Sequence, residues 1–433
     1  MNAGSVIGKV GKFKVCFRDE QLTSPAGVVL VHELATRLGV EQLVDEELQV
    51  KQRERGYTEG QAIGALVQNL LLGGECLSDL EVLRGDPGTQ ELLAQDTILA
   101  PRTARELLQK FDLGDMRDLP RVNLRLQQRV RPHQTSATCT IDLDSSIYEQ
   151  ASTRKQGSDK AYNGEIGYHP LLAVWAEEGE LRFSPLRRGS AHTCRNVLWL
   201  LRETFKRRPT QAALALRADS GFYSKEVVQW CEAHHVRFTI TADQTAPLLA
   251  LIEALPDRRW TNLPDYPLCE VAEVRYQPAR WATAYRYVIK RQLTENKTGE
   301  LVWQYHVCVT NDERTPGCDL EGWHLQHADM ENRIKEHKSG LGLEKLPSGG
   351  FHATWADLLI GQLAFNLWAW FKKLGLPSSY HHATLKTLRH HLLNLAGKSV
   401  HSARQCLLVI SNRYRYQAVW QFALNRLTHL QFS

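Results

Sequence analysis

The chain has 433 residues, of which 43% are hydrophobic and 23% charged, and its formal net charge is +5. That length supports a sizeable core and roughly two to four domains. The composition excludes a disordered polymer, and the mild basic excess admits nucleic acid as a partner without requiring it.

The opening stretch MNAGSVIGKVGKFKVCFRDE lacks the long apolar core of a signal peptide. Up to about residue 130 the pattern is helical. Leu30, Val31, Leu34 and Leu38 recur at helical spacing, and Gly39 follows as a stop. Thr58 and Gln61 form a capping-box pattern ahead of Ile63, Leu66, Val67 and Leu70, with Gly73 and Gly74 ending that helix. A third helix is expected after Pro101, capped by Thr103 and Glu106. Further on, Arg121, Arg125 and Arg129 stand four residues apart and so share one helical face. Such a stripe suits phosphate contacts, and it equally suits an ordinary solvated face.

Near Pro132 the texture changes. The segments ATCTIDLD, HPLLAVWA and ELRFSPL read as strands, and a helix follows over residues 195–206. Then come the strand ALALRAD, a helix over 225–234 and the strand RFTITAD, together a mixed α/β layered domain. Residues 245–313 look like a separate β-rich insertion with strands VAEVRY, AYRYVIKRQ and LVWQYHVCV. Long helices resume from about Leu320 to Lys373. The most apolar stretch, Trp355 to Leu374, is interrupted by Asp357, Gln362 and Asn366, which suits a buried core helix better than a membrane span. A last helix is expected over 417–430. The nine cysteines are odd in number, widely spaced and without a CxxC pair. They argue against a zinc ribbon or a disulfide framework and for reduced thiols.

Three places carry acids suited to chemistry. In TCTIDLDSS, strict alternation puts Asp142 and Asp144 on the same strand face, where they would repel unless a cation sits beside them. Magnesium suits a site of few carboxylates plus substrate phosphate, and a strand end open to water would serve the two acids as well. In ALALRADSGFY, Asp219 stands at a strand's C-terminal end, where ligand sites of open α/β sheets lie and where Asp also caps turns. In WHLQHADMENRIKEHKSG, one helical face carries His324, His327, Glu331, Lys335 and Lys338. Glu331 there could hold metal and its neighbours phosphate, or the row could be an exposed helix with Glu–Lys pairs.

The stretches IDLDSS, GYHPLLAVWAEEGELRFSPLRRGSAH, LRADSGFYSKEVVQWCE and HADMENRIKEHK resemble the IS1380 family of bacterial insertion-sequence transposases, within the wider IS4-type group. The resemblance implies an RNase H-like catalytic core interrupted by a β-rich insertion. It implies catalytic, metal-binding roles for Asp144, Asp219 and Glu331, with Asp142 in reserve for the first. Two Mg2+ ions are the expected cofactor, with Mn2+ as a substitute. Lys338, Arg333, His324 and His327 would hold DNA phosphates, as would Arg121, Arg125 and Arg129. In the wider group's signature helix a Tyr and an Arg precede the Glu; this chain has His324 and His327 there.

The organisation expected is an all-α N-terminal DNA-binding region (1–132), a first core part (133–244), the insertion (245–313), a second core part with the catalytic helix (314–376) and a C-terminal region (377–433). The implied function is metal-dependent cleavage of insertion-sequence ends and strand transfer into target DNA. Partners would be double-stranded DNA, both terminal inverted repeats and target, and a second copy in a synaptic homodimer. No membrane association is expected, and the location is the bacterial cytoplasm, at the nucleoid.

Overall fold

The computed structural model describes residues 6–10, 12–16, 21–53, 56–95, 97–206, 208–209, 211–263, 266–402 and 405–432. Strands β1 (Val6–Val10) and β2 (Phe13–Cys16) form a hairpin, and β3 (Leu22–Thr23) follows. The first 132 residues are therefore helical with a β-structured start. Helix α1 (Val28–Leu38) stops where Gly39 takes a left-handed φ of 65°, so that its N–H closes on the Ala35 and Thr36 carbonyls. Next come α2 (Val40–Glu47) and α3 (Glu59–Leu72), which opens on the Thr58–Gln61 capping box. After the short α4 (Leu80–Arg84) and α5 (Pro87–Leu92) comes α6 (Pro101–Leu108). It starts one turn earlier than a Thr103 cap would place it. Pro101 occupies the first helical position, where its missing N–H costs nothing, so no side-chain cap is needed. Helix α7 (Asp115–Val130) ends the helical part.

Strand β4 (Thr138–Ser145) opens the sheet region. The short strands β5 (Tyr148–Glu149), β6 (Asp159–Lys160) and β7 (Ile166–Tyr168) make a small side sheet. Then β8 (Leu171–Trp175), β9 (Glu180–Phe183), α8 (Val197–Phe205), β10 (Ala213–Ala218), α9 (Lys225–Ala233) and β11 (Arg237–Thr241) follow, all within a few residues of the sequence reading. Beyond α10 (Ala246–Glu253) lie β12 (Thr261–Asn262), β13 (Cys269–Tyr276), β14 (Tyr285–Glu295) and β15 (Leu301–Thr310). These are not a separate unit. Strand β15 pairs antiparallel with the edge of β11, Ile240 opposite Val309, giving one nine-stranded sheet in the order β12-β13-β14-β15-β11-β10-β4-β8-β9. An unpaired β11 edge would leave its backbone groups exposed, and the inserted strands satisfy them.

Helix α11 (Gly317–Leu325) leads through a 3-10 turn (Gln326–Ala328) into α12 (Asp329–Lys335), which runs on into a π-helical turn (Glu336–Gly340). Helix α13 (Phe351–Trp370) is buried on every side, which explains its unbroken apolar character. Two of its polar residues, Asn366 and Gln362, donate to the Leu181 carbonyl, at 2.8 and 2.9 Å. Among the described residues no helix is long and apolar enough to cross a membrane. The chain closes with α14 (Leu385–Leu388), the hairpin β16 (Gly397–Ser402) and β17 (Gln405–Ile410), and α15 (Gln417–His429). Strand β16 also pairs with β3, tying the two ends of the chain together.

Two apolar clusters organise these elements. One contains Leu34, Ile63, Leu66 and Leu126 from the first 130 residues together with Leu359, Leu363 and Leu427 from the last hundred. The N-terminal helices thus wrap α13 instead of closing a core of their own. The other lies on the large sheet, where Ile141, Leu216 and Ile240 pack with Tyr287, Ile289 and Val307.

Candidate active site

Strands β4 and β10 run parallel with Leu143 beside Ala218, so the next residue of each, Asp144 and Asp219, emerges at the same sheet edge. Their side chains are thereby neighbours although 75 positions separate them. The Asp219 carboxylate also caps the following turn, accepting from the Gly221 N–H at 3.1 Å. Gly221 cannot be larger: a Cβ there would lie 2.9 Å from the Thr193 methyl. The loop carrying Thr193 is pinned by buried Arg187, which donates to the carbonyls of His169, His192, Thr193 and Arg195. Arg187 went unnoticed in the sequence reading, although LRRGSAH was singled out; its burial is a tertiary fact.

Helix α12 brings the third acid. The His327 ring, one turn before Glu331, donates from Nε2 to the Leu143 carbonyl at 2.9 Å, which docks the helix start on β4 beside Asp144. Burial raises the Asp144 carboxyl to about 7, and repulsion from Asp219, Glu331 and Asp142 adds to the rise, while the Ser145 N–H opposes it. Asp219 is raised too, by burial first, with His327 pulling the other way. Among the described residues Glu331 has no hydrogen-bond or ion-pair partner, and it is exposed. The three acids do not all lie within 4.8 Å of one another. The charges of Asp219 and Glu331 both act on Asp144.

Asp142 shares the strand face with Asp144 but not its environment. It is fully buried, and Arg217 clasps it with two bonds, Nε to Oδ1 at 2.7 Å and Nη2 to Oδ2 at 3.0 Å. Arg333 adds a contact at 3.3 Å and donates to the Ala176 carbonyl at 2.7 Å. The cations beside Asp142 are therefore guanidinium groups, which argues against the reserve role as a metal ligand. Its oxygens are already occupied.

The DDE domain of transposases, group 1, matches residues 7–432. The chain belongs to this DDE transposase family. No curated protein matches it. Among solved structures it is similar to the piggyBac transposase in a cryo-EM synaptic complex with hairpin DNA, at 10% identity and a TM-score of 0.42, over 84% of this chain and 80% of that one.

The other positions singled out in the transposase sequence divide sharply. His324 is buried, with Nδ1 and Nε2 bonded to the Thr239 and Thr241 hydroxyls at 2.9 and 3.0 Å, and burial pushes it down to about 3. A neutral, buried ring cannot hold phosphate, so His324 leaves the DNA-contacting set for a structural role. Arg333 is a cation, but its guanidinium is committed to Asp142 and the Ala176 carbonyl. Lys338 lies on the π-helical turn, donates to the Ile147 carbonyl at 2.7 Å and stands over the Tyr148 ring, close behind the end of β4. The turn also breaks the single face expected from His324 to Lys338.

The α7 arginines are held by the protein itself. Arg125 pairs with Glu46 and Glu47 at 2.7 and 2.9 Å, and Arg129 caps the α1 terminus at the Leu38 carbonyl. Arg121 is exposed, and among the described residues it pairs with Asp118 alone, on its own helix. The stripe mainly fastens α7 to α1 and α2.

Proposed function

We propose that this DDE transposase cleaves the ends of an insertion sequence and transfers them to target DNA, with Asp144, Asp219 and Glu331 as its metal-binding acids. The observation that carries this is the parallel pairing of β4 with β10, which brings Asp144 and Asp219 out at the same end of the sheet, with His327 docking the start of the Glu331 helix on β4 beside them. The donor set fits two Mg2+ ions, with Mn2+ as a substitute: all three groups are hard oxygen ligands, and burial, with like charge adding to it, raises Asp144 to about 7. The ions, when bound, stabilise charge on attacking and leaving oxygens of a phosphodiester.

The protein's own residues do the rest. His327 fixes the start of α12 on β4, Arg187 shapes the loop over Asp219, and the Asp142–Arg217–Arg333 cluster holds the floor rigid. Lys338, His327 and Arg121 are the remaining candidates for phosphate contact. The three antiparallel strands β9, β8 and β4, followed by parallel β10 and β11 with helices between, support an RNase H-like core, which β12–β15 extends. Membership of the IS1380 family within the IS4-type group rests on the motifs IDLDSS, ADSGFY and ENRIKEHK. Terminal inverted repeats, target DNA and a synaptic homodimer complete the reading.

The test uses a duplex bearing the element's end, the full-length protein and Mg2+. Wild-type protein nicks it at the end, and Glu331→Gln, Asp144→Asn and Asp219→Asn each lose more than the roughly 10–100-fold that loss of an outer-shell partner costs. Undiminished nicking by Glu331→Gln removes that residue from the site.

A further inference from the structure

The hairpin β16–β17 meets α5, an element that carries none of the proposed metal-binding acids. His401 and Cys406 face each other across the hairpin as a directly paired couple. Both reach Glu91 on α5: the Cys406 thiol donates to Glu91 Oε1 at 2.7 Å, and His401 Nε2 lies 2.8 Å from the same oxygen. Glu91 Oε2 is buried with no partner among the described residues. One carboxylate oxygen thus takes two bonds while its twin takes none. The three ligand atoms lie within 4.8 Å of one another, the one such His, Cys, Asp or Glu group among the described residues.

A thiol, an imidazole and a carboxylate converging from elements 310 positions apart form a borderline-soft N/O/S donor set. Zinc takes such sets tetrahedrally, with bonds of about 2.0–2.3 Å and water in the fourth position. Ligand atoms on those bonds stand about 3.3–3.8 Å apart, so the two contacts to Glu91, at 2.7 and 2.8 Å, would open by about 1 Å or less. His401 and Cys406 are exposed, which leaves an entry path from solvent. Hydrogen bonding alone uses the thiol proton as glue. Metal replaces it, forming a Zn–S bond while the S–H proton leaves to water.

We propose that Glu91, His401 and Cys406 form a zinc site that fastens the C-terminal hairpin to α5. The absence of a CxxC pair argues against a ribbon, and this site needs none, because the fold assembles it from three separate positions.

The test is a titration of metal-free full-length protein with Co2+ alone. A thiolate-to-cobalt charge-transfer band grows to one equivalent, disappears on adding Zn2+, and is missing in Cys406→Ser. Oxygen-only binding at the catalytic acids gives no such band, so the two sites are distinguished. His401→Ala and Glu91→Gln weaken the band-forming affinity by about 10-fold or more. Zn2+ raises the unfolding temperature of wild type but not of Cys406→Ser. A wild-type titration without the sulfur band, or a band that persists in Cys406→Ser, overturns the proposal.

Discussion

Asp142 and Asp144 stand two residues apart on one strand face, and their surroundings give them opposite tasks. Asp142 is locked between Arg217 and Arg333, while Asp144 has only the Ser145 N–H and a crowd of anions. Removing one partner of a buried ion pair leaves the others uncompensated, at a cost of about 3–5 kcal/mol. Asp142→Ala therefore loses about that much in urea unfolding, with Arg217 and Arg333 left buried. Asp144→Asn, which removes a like charge, keeps or raises the stability of the metal-free protein. Equal, small effects from both variants would contradict the division of roles. Alternation along the strand gives both acids the same facing; it contains nothing about Arg217, which reaches Asp142 only because β10 lies beside β4.

At the scale of elements, α13 and α12 show how polar residues in apolar or charged runs acquire their meaning. Asp357, which breaks the apolar run of α13, is buried, accepts from the Ser348 hydroxyl at 2.8 Å, and is raised by burial to about 7. A folded-state value above the unfolded one means its stabilising contribution is complete below the ordinary carboxylate range. That contribution is lost as pH rises through about 7. Asp357→Asn has no such titration, so its unfolding free energy falls less between pH 5 and pH 8 than that of wild type, by about 2 kcal/mol. Denaturant melts at the two pH values measure this directly, and parallel falls would count against it. In α12 the row from His324 to Lys338 reads as one face of one helix. The 3-10 and π-helical turns break it, sending His324 and His337 inward and leaving Glu331 outward. The capping box at Thr58 and the glycine stops at Gly39 and Gly73 needed no such revision, because their causes are local.

At the scale of the whole molecule, continuity is the main result. Residues 245–313 add four strands to the central sheet and supply Tyr287, Ile289, Val307 and Val309 to its core. The segment reads as an insertion because its strands stand apart in sequence, yet its pairing partner is β11. Excision of residues 245–313 from the chain therefore exposes the β11 edge and opens the apolar cluster. The shortened protein is expected to aggregate or lose cooperative unfolding, as sedimentation and thermal melts would report. A shortened chain that stays monomeric and melts cooperatively would show the extension to be an independent module. The same continuity joins the first 130 residues to α13 and α15, so the N-terminal helices depend on the C-terminal half for their core.

The sequence by itself determined the order and type of most elements from β4 onward, the buried nature of α13, and the motifs on which the proposed acid triad rests. Those features follow from periodicity, turn chemistry and motif spacing, which act over a few residues. Tertiary structure alone decided that Asp142 is a salt-bridge partner, that His324 and Arg333 face inward, that the arginine stripe fastens helices, and that Glu91, His401 and Cys406 meet. Each of those depends on which distant segment supplies the neighbouring charge or excludes water, and neither burial nor pairing across hundreds of residues is written in local spacing.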